Sequence, residues 1–396
     1  MKKNILFVMP SLSSGGAEKS LVTLLNLIDY NKYNVDLYLF RKAGLFVDQI
    51  PEKVNLMTAG HDYELFDGSF KKAILSFLKL GKFSLAFHRI KYAWVLFSHK
   101  KNKQKLAWQC LSQAMTVPEK EYDVAIGYLE GTSVYFCVDK AKAKKRIGYI
   151  HTDYNRIIEQ KKTDEPYFKK LDVIVGVSKS CVDILNKFFP FTVGKTRVVE
   201  NIISKKAINK MAQTNKSVYD NKGGETVILT IGRLSKPKGI DNAVNACAIL
   251  KENGYKIKWY QIGVGELKAE IESQIKSKGL ENEFVMLGEK SNPYPYIKQC
   301  DVYVQPSNYE GKAIAVDEVK CVQKPIVVTD FSTVFDQIEN GKNGLIANKN
   351  PQSIADKIKH LIDNPEKKAE FCENLKRESV GNEEEINKLY EIIDRV

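Results

Sequence analysis

Apolar and polar positions in this chain come in blocks. Short runs of Val, Ile, Leu and aromatic residues recur along its length, and between them lie longer stretches with apolar residues three or four apart. The first half carries NILFVMP, NVDLYLF, YDVAIGYL, KRIGYIH, DVIVGVS and TRVVEN; the second carries TVILTIG, IKWYQIG, EFVMLG, DVYVQPS, PIVVTD and GLIAN. None alternates strictly between apolar and polar, so each reads as a parallel strand covered on both faces, with helices between. Repeated βα units of this kind predict an α/β chain of two doubly wound, Rossmann-like domains. The polar segment ISKKAINKMAQTNKSVYDNKGGE, rich in Asn and Lys and ending in Gly223 and Gly224, is the best linker candidate. Residues 1–204 and 205–379 are therefore expected to form the two domains. The amphipathic tail, residues 380–396, is a candidate to pack back on the first, although the pattern does not show its docking site. Two such domains facing each other put the carboxyl ends of both sheets at one cleft, where open α/β sheets bind ligands.

Length agrees with two cores, since 396 residues exceed one ordinary domain. Hydrophobic content of 43% and charged content of 28% are globular values and exclude a disordered chain. No window of about 18 apolar residues exists, and the run near the start is too short and strand-like for a signal peptide or membrane span, so a cytoplasmic location is expected. The 7 cysteines are scattered without a Cys-x-x-Cys pair, which points to reduced core residues rather than metal or redox chemistry.

The formal charge of +13 is unevenly spread. From Lys71 to Lys105 stand Lys71, Lys72, Lys79, Lys82, Arg89, Lys91, Lys100, Lys101, Lys103 and Lys105, with no acidic residue among them. Aromatic and aliphatic residues interleave, Phe77, Phe83, Phe87, Trp94 and Phe97 included, so the pattern predicts one or two basic amphipathic helices. Such helices suit an anionic membrane face; they suit equally a surface whose aromatics pack on its own domain. Nucleic acid is disfavoured, because no nucleic-acid motif accompanies the charge.

Three segments carry candidate chemistry. After the first strand, Gly15 and Gly16 open a helix whose N-terminus could receive phosphate or a polar acceptor; a tight strand-to-helix turn needs the same residues. Neither a dinucleotide fingerprint nor a P-loop is present. In IGRLSKPKGIDNAV, Arg233 and Lys238 flank a turn built on Pro237 and Gly239, and two converging cations of this kind would hold a diphosphate. No Asp-x-Asp occurs in the chain, so the carboxylate pair that commonly anchors a metal on a nucleotide is missing, and no metal site is expected. In PSNYEGKAIAVDEVKC, Glu310 and Glu318 stand eight positions apart. On one helix that spacing means a rise of about 12 Å and an offset of roughly 80° around the axis. Glu318 could then accept from ribose hydroxyls while Glu310 and the N–H groups of Gly311 to Ile314 address the sugar and its phosphate.

EGKAIAVDE resembles the Glu, seven residues, Glu motif of retaining GT-B glycosyltransferases, in particular glycosyltransferase family four. GRLSKPKG is similar to that family's diphosphate-binding segment. GGAEK, VGVSKSCVDILNKF, VVENII, QIGVGELKAEIE, VMLGEKSNPYPYIKQCDVYVQPS and ENGKNGLIA recur in its order and spacing. The resemblance covers nearly the whole chain except residues 58–117, which read as a basic amphipathic insertion. It implies a GT-B fold and transfer of a hexose or N-acetylhexosamine from a nucleotide sugar, a UDP-sugar before a GDP-sugar. The acceptor would be a hydroxyl of a lipid-linked or polymeric cell-surface glycan, with retention and without metal or other cofactor. By the same resemblance Arg233 and Lys238 bind the diphosphate, Glu318 the ribose and Glu310 the transferred sugar. Gly16, Tyr309, Gly311, Lys312, Ala313 and Ile314 complete the donor site. His151, in IGYIHTDY, matches a family histidine on the acceptor side, with Gly15 and Gly16. Departures are Val319 and Gln323, where the family usually has Ala and Gly, and FSTVFDQI in place of a Gly-x-Pro-Glu turn. A non-catalytic GT-B partner subunit is the alternative; the intact Glu310, Glu318, Arg233 and Lys238 favour the enzyme.

Overall fold

The computed structural model describes residues 2–13, 15–98, 103–152, 154, 157–220, 224–310 and 312–395. It divides into two compact units, residues 1–202 with 384–396, and residues 203–383. The divisions fall two and four residues from the expected boundaries.

The first unit runs β1 (Lys3–Met9), α1 (Gly16–Leu27), β2 (Tyr33–Leu39), β3 (Asn55–Thr58), α2 (His61–Asp67), α3 (Phe70–Lys79), α4 (Phe83–Phe97) and α5 (Lys103–Leu111). It continues with β4 (Tyr122–Gly127), α6 (Thr132–Asp139), β5 (Ala143–Ile150), α7 (Lys161–Lys170), β6 (Val173–Gly176), α8 (Lys179–Phe188) and β7 (Thr196–Val198). The described strands form one parallel sheet ordered β3-β2-β1-β4-β5-β6-β7. Both faces of β1 are buried: Ile5, Phe7 and Met9 enter one apolar cluster, Leu6 and Val8 another. That two-sided burial is why its apolar run shows no alternation. The edge strand β3 escapes the sequence reading because it is four residues long and only partly buried, so its apolar signal is weak.

The second unit runs α9 (Lys205–Met211), β8 (Thr226–Ile231), α10 (Ile240–Glu252), β9 (Ile257–Ile262), α11 (Lys268–Ser277), β10 (Phe284–Met286) and α12 (Tyr294–Gln299). Then follow β11 (Val302–Gln305), α13 (Ile314–Val322), β12 (Ile326–Thr329), β13 (Leu345–Ala347), α14 (Pro351–Asp363) and α15 (Pro365–Arg377). Its described strands are parallel and ordered β10-β9-β8-β11-β12-β13, with core clusters on either face. The expected linker is not one. Its Lys205–Met211 portion is α9, whose Asn209 amide donates to the Cys321 carbonyl at the end of α13, and Ile208, Ala212 and Tyr219 are buried in the second core. Gly223 lies outside the described residues.

The tail is α16 (Glu385–Asp394), and it docks on the first unit. Tyr390 stacks on Tyr33 with ring centroids 5.1 Å apart, its hydroxyl accepts from the Asp29 N–H at 2.8 Å, and Leu389 and Ile393 are fully buried.

Helices α2 to α5 surround a small core of Phe66, Ala73, Phe77, Ala86, Cys110 and Ala114. The expected amphipathic helices are there, but two of their cations already have partners within this region. Lys82 is paired with Asp62 at 2.6 Å, and Arg89 is buried. Lys100 and Lys101 lie outside the described residues. All 7 cysteines are free thiols, six of them buried. No described helix is long and apolar enough to cross a membrane.

Candidate active site

In the second unit the strand order reverses between β8 and β11, and ligands of open α/β sheets bind at the carboxyl ends there. Arg233 and Lys238 follow β8; Ser307 and Glu310 follow β11. The two loops are sewn together through their backbones, since the Pro237 carbonyl accepts from the N–H groups of Asn308 at 2.9 Å and Tyr309 at 3.1 Å. Gly239 makes this approach possible. It sits at φ +61°, and a Cβ there would stand 2.1 Å from the Pro306 carbonyl oxygen. Only glycine takes both the left-handed backbone and the close contact at low cost.

This stitching brings Lys238 against Glu310 across 72 residues of sequence. Lys238 Nζ donates to both carboxylate oxygens, at 2.7 and 2.8 Å. Glu310 is buried, and Ser307 Oγ (2.7 Å) and Gln305 Nε2 (3.2 Å) donate to its Oε1. A buried carboxylate is tolerable only with such partners. Tyr303 OH in turn donates to Gln305 Oε1. Burial, then the charges of Glu310 and Glu318, push the Tyr303 hydroxyl well above its ordinary pKa, so it stays a donor. Sequence reasoning missed this network. Its signal is a polar residue at every second position, Tyr303, Gln305 and Ser307, in an otherwise apolar strand end.

The geometry expected around the two glutamates needs correction. Glu310 is not on the helix, because α13 begins only at Ile314. Glu318, one turn inside α13, is buried and accepts from Tyr294 OH at 3.2 Å. The expected free N–H groups are partly taken: that of Ala313 donates to Gln337 Oε1 and that of Ile314 to the Lys312 carbonyl, at 3.0 and 3.1 Å. Gln337 Nε2 returns a bond to the Ala313 carbonyl at 3.0 Å, so this one side chain clamps the entrance to α13. Lys312 is ion-paired with Asp317 at 3.8 Å, and Gly311 lies outside the described residues. The Arg233 side chain is exposed and has no hydrogen bond or ion pair among the described residues.

Gly15, Gly16 and His151 belong to the first unit. Gly15 caps α1, but the Glu18 carboxylate folds back within 2.1 Å of where a Gly15 Cβ would be, so the helix N-terminus already has a carboxylate near it. His151 directly follows β5, its ring 5.2 Å from that of Tyr128 and 5.8 Å from that of Tyr149, and its backbone N–H donates to Glu130 Oε2 at 2.9 Å. Both ring nitrogens are buried without a well-aligned partner among the described residues. Burial lowers the pKa of the ring, against the opposing pull of the Glu130 charge and the Tyr128 backbone, which favours neutral imidazole. Among the described residues no group of three or more His, Cys, Asp or Glu could hold a metal.

Comparison with known proteins agrees with this architecture. Residues 211–378 match the family described as glycosyl transferases group 1. The chain is 27% identical over 240 residues to the poly(ribitol-phosphate) alpha-N-acetylglucosaminyltransferase of Staphylococcus aureus, a match covering 58% of this chain and 46% of that protein. It is 26% identical over 334 residues to a Campylobacter jejuni N-acetylgalactosamine-N,N'-diacetylbacillosaminyl-diphospho-undecaprenol 4-alpha-N-acetylgalactosaminyltransferase, covering 84% of this chain and 82% of that one. Among solved structures, Anabaena HepE in complex with UDP-glucose superposes with TM-score 0.68 at 16% identity over 100% of both chains. A Staphylococcus aureus TarM complex containing UDP gives the same TM-score at 16% identity over 99% of both chains. The match to glycosyl transferases group 1 thus falls within the second unit, and the two parallel-sheet units are of the GT-B type.

Proposed function

We propose that this chain is a retaining glycosyltransferase that moves a hexose or N-acetylhexosamine from a nucleoside diphosphate sugar, a UDP-sugar first, to a hydroxyl of a lipid-linked or polymeric cell-surface glycan. The observation that carries the reading is the buried Glu310 carboxylate held by Lys238 in the switch-point loops, with Arg233 on the same loop as Lys238. As the bond from sugar to diphosphate breaks, charge develops on the leaving phosphate. The ammonium of Lys238, which Glu310 positions, and the guanidinium of Arg233 stabilise it there. Glu310 accepts from the hydroxyls of the departing sugar, Glu318 anchors the ribose, and neutral His151 serves the acceptor side. Alpha linkages appear in the names of both relatives, and retention is what makes an alpha product from an alpha-linked nucleotide sugar. Two cations and the absence of Asp-x-Asp support catalysis without metal.

The test is to incubate the pure protein with radiolabelled UDP- and GDP-sugars and lipid-linked or polymeric acceptors, with and without EDTA. Transfer that survives chelation is expected. Glu310→Gln and Lys238→Ala should each lower turnover by about two to three orders of magnitude. Glu318→Gln should chiefly weaken UDP binding in calorimetry. A folded protein that binds UDP but transfers and hydrolyses nothing would be a non-catalytic partner instead, and unchanged turnover in the Glu310 variant would remove that residue from the mechanism.

A further inference from the structure

Helix α4 carries a second apolar face that is largely exposed. Phe83, Phe87, Ile90, Trp94 and Phe97 recur at spacings of four and three, which keeps them within an arc of roughly 80°. They are 66%, 63%, 51%, 58% and 87% exposed. The helix is nonetheless docked, for Ala86, Arg89 and Val95 are buried, and Ala86 sits in the small core with Phe66 and Phe77. A contiguous exposed apolar stripe on a packed helix marks an interaction site.

Charge selects the occupant. From Ser69 to Pro118 the sequence contains no Asp or Glu. Lys71, Lys72 and Lys79 are exposed on α3 with Leu75 and Leu78, and Lys103 and Lys105 are exposed on α5. A second copy of the chain would set lysines against lysines across a two-fold axis, which is repulsive. An anionic bilayer satisfies both the lysines and the apolar stripe. With 15 residues α4 is too short to span the hydrocarbon core, which needs about 20, but its length suits a helix lying in the interface.

We propose that α4 lies in the interfacial layer of a membrane containing anionic lipid, with Phe83, Phe87, Ile90, Trp94 and Phe97 among the acyl chains and the neighbouring lysines at the headgroups. The attachment is thus carried by apolar insertion as well as by charge, and it holds whichever sugar the enzyme uses. The chain supplies its own reporter. Of its 3 tryptophans, Trp108 and Trp259 are buried and only Trp94 is exposed.

The full-length protein should be mixed with phosphatidylcholine vesicles with and without phosphatidylglycerol. Co-sedimentation with the anionic vesicles, a blue shift of tryptophan emission and quenching by lipids brominated in the acyl chain are expected. Phe87→Ser with Phe97→Ser should reduce partitioning at least tenfold at an unchanged melting temperature, because both side chains are exposed; Lys71→Glu with Lys79→Glu should weaken it as well. Failure to bind anionic vesicles at low salt overturns the proposal, and so does binding without quenching of Trp94. Self-association in the absence of lipid that Phe87→Ser abolishes would assign the stripe to a second copy of the chain.

Discussion

Gln323 is the one described residue other than glycine with positive φ, at +60°, and it caps the C-terminus of α13. A side chain in the left-handed region costs about 1 kcal/mol that glycine avoids. Gln323→Gly should therefore raise the melting temperature of the second unit by roughly 2–4 °C in calorimetry; no change would mean that the Gln323 side chain recovers the strain elsewhere. Asp164 gives a pH-dependent counterpart in the first unit. Burial raises its pKa from 3.8 to about 6, against the hydroxyls of Tyr135 and Tyr154, which donate to its carboxylate. A carboxyl whose folded pKa lies above its unfolded value binds its proton longer in the folded state, so its contribution to stability falls as pH climbs from about 4 to about 6 and stays low above that. Asp164→Asn does not titrate. The stability of that variant minus that of the parent should accordingly rise across this window, by up to about 3 kcal/mol, and then level off. His151, whose pKa is lowered, works in the opposite sense but is common to both proteins and cancels in the difference. A difference curve flat from pH 4 to 7 would show that Asp164 titrates as an ordinary carboxyl.

Among the elements, α2 to α5 depend on a cation that the charge pattern assigns to the surface. The Arg89 guanidinium lies 5.2 Å from the ring centroid of Phe70, 5.6 Å from that of Tyr92 and 5.7 Å from that of Phe66, and it donates to the Gly68 carbonyl at 3.2 Å. A planar cation can satisfy rings and carbonyl together, whereas an ammonium cannot. Arg89→Ala should cost roughly 2–4 kcal/mol. It should speed amide exchange across residues 61–111 while the strands of both sheets stay protected, because the small core around Phe66 and Phe77 opens as a local unit. Uniform loss of protection over the whole first unit would show that this helical region unfolds only with the sheet.

At the scale of the whole molecule, the chain ends by returning to the unit in which it began. Removing residues 384–396 would strip Ile386, Leu389, Ile392 and Ile393 from the first core. Four aliphatic side chains contribute roughly 6 kcal/mol or more, comparable with the whole stability of a domain. The truncated protein should lose or sharply lower the calorimetric transition of the first unit and keep that of the second, whose core residues are its own. An unchanged first transition would mean that α16 is dispensable. This return is one thing the amphipathic tail could not reveal, since an apolar stripe states that a helix docks without stating on what. The same limit runs through the molecule. Runs such as NILFVMP and DVYVQPS determined parallel strands by themselves, because two-sided burial demands continuous apolar residues; Arg233 and Lys238 were legible as candidate site residues because few side chains suit a diphosphate, and Glu310 because EGKAIAVDE resembles a family motif. Only the tertiary structure decided that Lys238 pairs with Glu310, that Ser307 and Gln305 hold that carboxylate, that Gln337 clamps the entrance to α13 and that α9 is core rather than linker. Those partners are set by strand order and by loops that meet across the sheet, and the spacing of residues along a chain carries burial but not the identity of distant neighbours.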